Sequence, residues 1–156
     1  MRMKALALMA ALALLGACES APKDAGAGAG TGAQNTIVPG SQQDLVVNVG
    51  DRVFFGFDRS DLSAEARATL DRQAQWLKTY GNVNVTVEGH ADERGTREYN
   101  LALGERRANA VKKYLAAQGI NAARVKTISY GKERPAVVGS NESAWSQNRR
   151  GVTVVD

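Results

Sequence analysis

The sequence predicts an α+β fold: a βαβαββ two-layer sandwich with its helices packed on one face of a mixed sheet. Three observations carry this. Val83-Asn84-Val85-Thr86-Val87-Glu88 alternates apolar and polar side chains, the period of a half-buried strand. Ala66, Leu70, Ala74 and Leu77 recur at helical spacing before that strand, and Leu101, Gly104, Ala108, Val111 and Leu115 recur at helical spacing after it. A strand flanked by helices implies a crossover connection, and hence strands lying parallel within the sheet.

The remaining elements follow in chain order. Leu45 to Val49 and Arg52 to Phe55 are short β-prone runs separated by Gly50-Asp51. Ser63 is placed to cap the first helix, with Glu65 in its first turn and Gly81-Asn82 as its stop. Trp76 and Tyr80 lie at the edge of its apolar stripe, and Trp76 and Trp145 read as edge-of-core residues. The second helix is expected over residues 97–118, ended by Gly119. Lys126 to Tyr130 forms a third strand, Asn141 to Gln147 a short helical turn, and Gly151 to Val155 an edge or closing strand.

The N-terminus has a different character. Arg2 and Lys4 precede an apolar run, Ala5 to Leu15, which is of signal-peptide length and too short for a spanning anchor. It ends Leu15-Gly16-Ala17-Cys18, which resembles the bacterial lipobox. Residues 1–17 are thus expected to be a cleaved leader, with Cys18 carrying lipid through its thiol. Acylation of the new amine would add a further chain and make the anchor stable. By analogy with other lipoproteins, Glu19 after the cysteine points to the outer membrane, with the domain facing the periplasm.

Residues 18–40 are low in complexity and rich in Gly and Ala, with no apolar stripe. They read as a tether spanning roughly 25 Å as a coil and about 70 Å fully extended. Residues 41–156 form the globular domain. The chain carries 20 basic and 16 acidic side chains, and loss of Arg2 and Lys4 with the leader brings these nearer balance. That argues against nucleic acid, which calls for a concentrated basic excess. Cys18 is the only cysteine, so the domain folds without an internal disulfide.

The chemistry concentrates between Gly89 and Val111, a glycine-bounded, charge-rich loop that runs into the second helix. Asn100, Leu103 and Arg107 share a helix face roughly 90° from the core stripe, next to the loop that carries Asp92. This predicts an acid and a guanidinium side by side, with an amide between them. Such a pocket suits a small zwitterion: Asp92 takes an ammonium, Arg107 holds a carboxylate bidentately, and Leu103 supplies apolar contact. Neither Asp92 nor Arg107 is expected to matter much for stability.

Over Val87 to Val111, the run Gly-His-Ala-Asp-Glu-Arg-Gly-Thr…Glu-Tyr-Asn…Leu-Gly-Glu-Arg-Arg-Ala-Asn-Ala-Val resembles the OmpA-like peptidoglycan-binding domain. It is closer still to that family's lipid-anchored branch, the peptidoglycan-associated lipoproteins. The likeness extends from Val53-Phe54-Phe55-Gly56-Phe57-Asp58 through Ile128 to Ala136 and on to Asn148-Arg149-Arg150. It implies a ligand, the diaminopimelate side chain of the peptidoglycan stem peptide, which ends in an ammonium and a carboxylate. It assigns recognition to Asp92 and Arg107, lining to Asn100 and Leu103, and places at the same edge Phe57, Asp58, Ala91 through its backbone, and Arg150. It also implies TolB and other Tol proteins as partners, and a part in outer-membrane invagination during cell division. The chain departs from the family at Gly56, where an acidic residue is frequent, and at Arg97, where proline is.

Other chemistries are weaker. His90, Asp92 and Glu93 have poor ligand spacing, and the chain holds no second histidine, so no metal is expected. No cofactor is implied. The rival class is a wall-modifying hydrolase using the same binding face; against it, the domain has no cysteine nucleophile and no Ser-His-Asp arrangement visible in the sequence. Arg106 and Arg149 read as solvated or structural ion-pair residues.

Overall fold

The computed structural model describes residues 37–156. The expected leader, the lipidation site Cys18 and most of the tether lie outside the described residues. Four strands form one mixed sheet: β1 (Arg52–Phe54), β2 (Val85–His90), β3 (Val125–Gly131) and β4 (Arg150–Val155), in the spatial order β1-β4-β2-β3. β2 and β3 are parallel, whereas β4 is antiparallel to both β1 and β2. The helices are α1 (Gln42–Asp44), α2 (Ala64–Thr79), α3 (Arg97–Ala117) and α4 (Glu142–Asn148). Among the described residues, no helix is long and apolar enough to cross a membrane.

The α+β class is as the sequence predicts. The Ser63 cap and the apolar stripes of the two long helices are as read from it, except that Leu101 is only half-buried. Ser63 Oγ accepts the Ala66 N–H at 3.2 Å and starts α2, whose stripe Ala66, Leu70, Ala74 and Leu77 is buried. Thr96 Oγ1 accepts the Tyr99 N–H at 3.2 Å and starts α3, which buries Gly104, Ala108, Val111 and Leu115. These stripes meet Val53, Phe55, Val85, Val87 and Val125 in one core between helices and sheet.

Two expectations are corrected. Leu45 to Val49 is a π-helical turn continuing α1, not a strand. Ser41 Oγ caps this segment, and the Asp44 carboxylate gathers the Gly40 N–H, the Asn48 amide and the Trp76 indole N–H. Gly50, at a φ of +96°, closes the turn by donating its N–H to the Leu45 carbonyl. Side-chain hydrogen bonds to Asp44 and this cap outweigh the β preference of three valines. The other correction is β4, which is not an edge strand. It lies between β1 and β2, and the edges are β1 and β3.

The site is placed by a close approach of α3 to β2. A side chain on Gly89 would fall onto the Gly104 carbonyl, and one on Gly104 would strike Ser129 Oγ and the Gly89 carbonyl. Only hydrogen at both positions lets the helix axis come this near the sheet. Gly104→Ala is therefore expected to lower unfolding free energy by about 3 kcal/mol, measured by urea denaturation, because the Gly89 backbone as well as the Ser129 side chain would have to move.

Candidate ligand-binding site

A cavity of about 170 Å³ opens where the β1–α2 loop, the β2–α3 loop and the start of α3 meet. Phe57 and Asp58 come from the first loop, Asp92, Arg94 and Gly95 from the second, and Tyr99, Asn100 and Leu103 from α3. Asp58 holds a left-handed backbone, φ +55°, a conformation that aspartate tolerates better than most residues. Its carboxylate accepts the Tyr99 hydroxyl, tying the first loop to α3. Asn100 is buried and donates to the Arg94 carbonyl at 2.9 Å, which shapes the second loop.

Asp92 is 5 % exposed, and its carboxylate is fully engaged. Oδ1 accepts the Arg94 backbone N–H at 3.1 Å and Arg94 Nε at 3.0 Å, while Oδ2 accepts Arg94 Nη2 at 2.6 Å and Arg149 Nη1 at 3.4 Å. Burial pushes the carboxyl up, but the hydrogen bonds from Arg94, its charge and Arg149 overcome this and hold it below the usual carboxylate range. Arg149 is itself fixed by the Phe55 carbonyl at 3.0 Å and by Glu142 at 2.6 Å. The Arg94 guanidinium lies between two aromatic faces, 4.0 Å from the Phe57 ring centroid and 4.0 Å from that of Trp145.

Arg107 stands elsewhere than the sequence suggests. It is completely buried, and it donates to the carbonyls of Arg59 at 2.9 Å, His90 at 2.7 Å and Gly56 at 3.0 Å. It is not among the residues that line the cavity, and Asp92 takes its ion-pair partners from Arg94 and Arg149. Burial pushes the guanidinium down to about 10, against the attraction of Asp92, so it keeps its charge at neutral pH. Truncating Arg107 would orphan three carbonyls, so the expected indifference of stability to this side chain does not hold.

Of the other predicted residues, Phe57, Asp58, Asp92, Asn100 and Leu103 are gathered around the cavity. Ala91 and Arg150 are not. The Ala91 N–H is bound to the Gly131 carbonyl at 2.8 Å. Arg150 lies in β4 and donates to the carbonyls of Asn148 and Arg134. Sequence reasoning missed Arg94, Gly95 and Tyr99 as lining residues. The available signal was the spacing Asp92-x-Arg94 in a glycine-bounded loop, which lets a side chain fold back on its neighbour. Arg149 does form a structural ion pair, and Arg106 is exposed over the Tyr99 ring. Among the described residues, no group of three or more His, Cys, Asp or Glu is placed to hold a metal ion.

Fold and site together define a small α+β domain with a cavity walled by two loops and a helix, and comparison with known proteins gives the family. A model described as the OmpA family matches residues 54–149, and the chain belongs to that family. It is 58 % identical over 152 residues to the peptidoglycan-associated lipoprotein of Rhizobium meliloti, covering 96 % of this chain and 85 % of that one. The peptidoglycan-associated lipoprotein of Haemophilus influenzae is 47 % identical over 149 residues, covering 96 % and 95 % of the two chains. The crystal structure of the peptidoglycan-associated lipoprotein from Burkholderia pseudomallei superposes with a TM-score of 0.66 at 40 % identity, over 68 % of this chain and 90 % of that one. Within the OmpA family, the chain belongs with the peptidoglycan-associated lipoproteins.

His90 ends β2 just before the Asp92 loop and is 1 % exposed. Burial, then the charges of Arg150 and Arg134, push its imidazole down to about 4. Its Nε2 faces Glu88 at 3.3 Å, and Nδ1 has no partner among the described residues. The ring is thus neutral at pH 7. The unfolded chain binds this proton near 6.5, so the contribution is complete above that pH and is lost as the pH falls toward 4. Between pH 7 and about 4.5, His90→Gln is expected to lose about 2 kcal/mol less stability than the wild type, read from urea unfolding at both pH values.

Proposed function

We propose that this chain is an outer-membrane lipoprotein, anchored through Cys18, whose domain binds peptidoglycan non-covalently and tethers the membrane to the cell wall. The ligand is the diaminopimelate side chain of the stem peptide. The observation that carries this reading is the buried Asp92 carboxylate at a cavity walled by Phe57 and Leu103. It provides one fixed negative charge for an ammonium, beside apolar surface for the methylene chain. Arg107, one helical turn beyond Leu103, lies buried behind the cavity, and its charge favours a ligand carboxylate nearby. The names of the relatives support the wall as partner. The reading is of binding without turnover. Kinship with the lipid-anchored branch supports a further role beside TolB in the Tol–Pal system, acting on outer-membrane integrity and invagination at division.

Asp92→Asn keeps the shape of the side chain and removes its charge. It is expected to weaken pull-down of the full chain with purified sacculi by about tenfold or more, the scale of a lost charge-assisted hydrogen bond. Pull-down equal to wild type would place the ligand elsewhere, and release of soluble muropeptides by the wild type would establish a hydrolase instead. For the anchor, Cys18→Ala is expected to abolish metabolic labelling by radioactive palmitate and to move the protein from the membrane to the soluble fraction. Unchanged membrane recovery of that variant would refute anchoring through Cys18.

A further inference from the structure

The four donors on Asp92 leave no room for a fifth. A carboxylate offers about four lone-pair sites, and here they take the Arg94 backbone N–H, Arg94 Nε, Arg94 Nη2 and Arg149 Nη1. An ammonium reaching this carboxylate must displace one of them. Arg149 cannot readily leave, because its side chain is buried and is also held by Phe55 and Glu142. Arg94 is different. Its side chain is 30 % exposed, it lines the cavity, and among the described residues its guanidinium meets, besides Asp92, the Phe57 and Trp145 faces, with the charges of Glu142 and Glu93 near it. Those two aromatic faces and a carboxylate make a cage for a cation, and Arg94 fills it.

We infer that Arg94 is an internal occupant of the cation slot and sets the selectivity of the site by competing with the ligand. This rests on the reading of the cavity as the diaminopimelate site. The guanidinium pairs bidentately with Asp92 and is tethered two residues away, so an incoming ammonium meets a competitor at high effective concentration. A ligand with an ammonium alone gains only the contact that Arg94 gives up. A ligand that also brings a carboxylate gains a second interaction with the fixed positive charges of Arg149 and Arg107 beside Asp92, and so can drive the exchange. Arg94 thereby restricts the slot to zwitterions. Trp145, in α4, belongs to the site through this cage.

The test is isothermal titration of the full chain in detergent with two ligands. One is a diaminopimelate-containing muropeptide. The other is 1,5-diaminopentane, which carries ammonium ends and no carboxylate. Arg94→Gln is expected to bind the muropeptide about tenfold more tightly than wild type. It is also expected to take up diaminopentane, which wild type ignores, and to lose that uptake when Asp92→Asn is added. Arg94→Lys, which keeps the charge but not the fork, is expected to lie between the two and carries the comparison if Arg94→Gln does not fold. Absence of diaminopentane uptake overturns the inference. So does muropeptide binding by Arg94→Gln that is equal to or weaker than that of a wild type that binds. A wild type that ignores the muropeptide sinks the wall reading instead, and the diamine then decides the role of Arg94 alone.

Discussion

One buried guanidinium holds together the end of this domain that carries the candidate site. Arg107 reaches from α3 to the carbonyls of Gly56 and Arg59 in the β1–α2 loop and of His90 at the end of β2. Those three acceptors come from segments that would otherwise expose unpaired backbone at the mouth of the sheet. A lysine could not replace it, because an ammonium lacks the planar fork that aims donors at separate carbonyls. Burying the charge is costly, which is why the guanidinium is pushed down to about 10. The cost is offset by three hydrogen bonds and by the anionic field of Asp92. Because Arg107 fixes both loops, Phe57 and Asp58 from one and Asp92 and Arg94 from the other face each other across the cavity.

The close approach of α3 to the sheet makes this possible. Gly89 and Gly104 remove the side chains that would hold helix and strand apart. One turn along α3 from Gly104, the long Arg107 side chain can then reach over the strand end, and Leu103 and Asn100 face the cavity. Packing density in the core and geometry at the site are thus set by the same contact. His90 adds a second constraint at this point. Its neutral ring is enclosed near Arg134, Arg150 and Glu88, so the strand end that carries the Asp92 loop is held by a group that disfavours protonation.

Much of the fold was legible in the residues because it is governed by local periodicity. The stripes of α2 and α3 and the alternation through Val85 and Val87 each need only one face to be buried. Capping by Ser63 is a contact over three residues and is readable for the same reason. The turn from Leu45 to Val49 was not legible, because its decisive partners include Trp76, far along the chain. The position of β4 was not legible either. Gly151 to Val155 has the composition of a strand, but whether it lies inside or at an edge depends on β1 and β2, which it joins only after the chain has folded.

The residues alone point to a candidate site and its charged groups. Asp92, Asn100, Leu103 and Arg107 are recognisable in one glycine-bounded loop and one helix face, and the character of the Cys18 segment is likewise a property of neighbouring residues. Which charge pairs with which is a matter of the folded chain. Arg107 looked like the partner of Asp92 because both lie on adjacent polar surfaces. In three dimensions it turns to backbone carbonyls, and Asp92 is taken by Arg94 from its own loop and by Arg149 from the far end of the chain. The reason is that burial makes every unpaired carbonyl and every unpaired charge expensive. Guanidiniums therefore go where unsatisfied acceptors meet, and the positions of those acceptors are set by the packing of distant segments, which linear spacing does not contain.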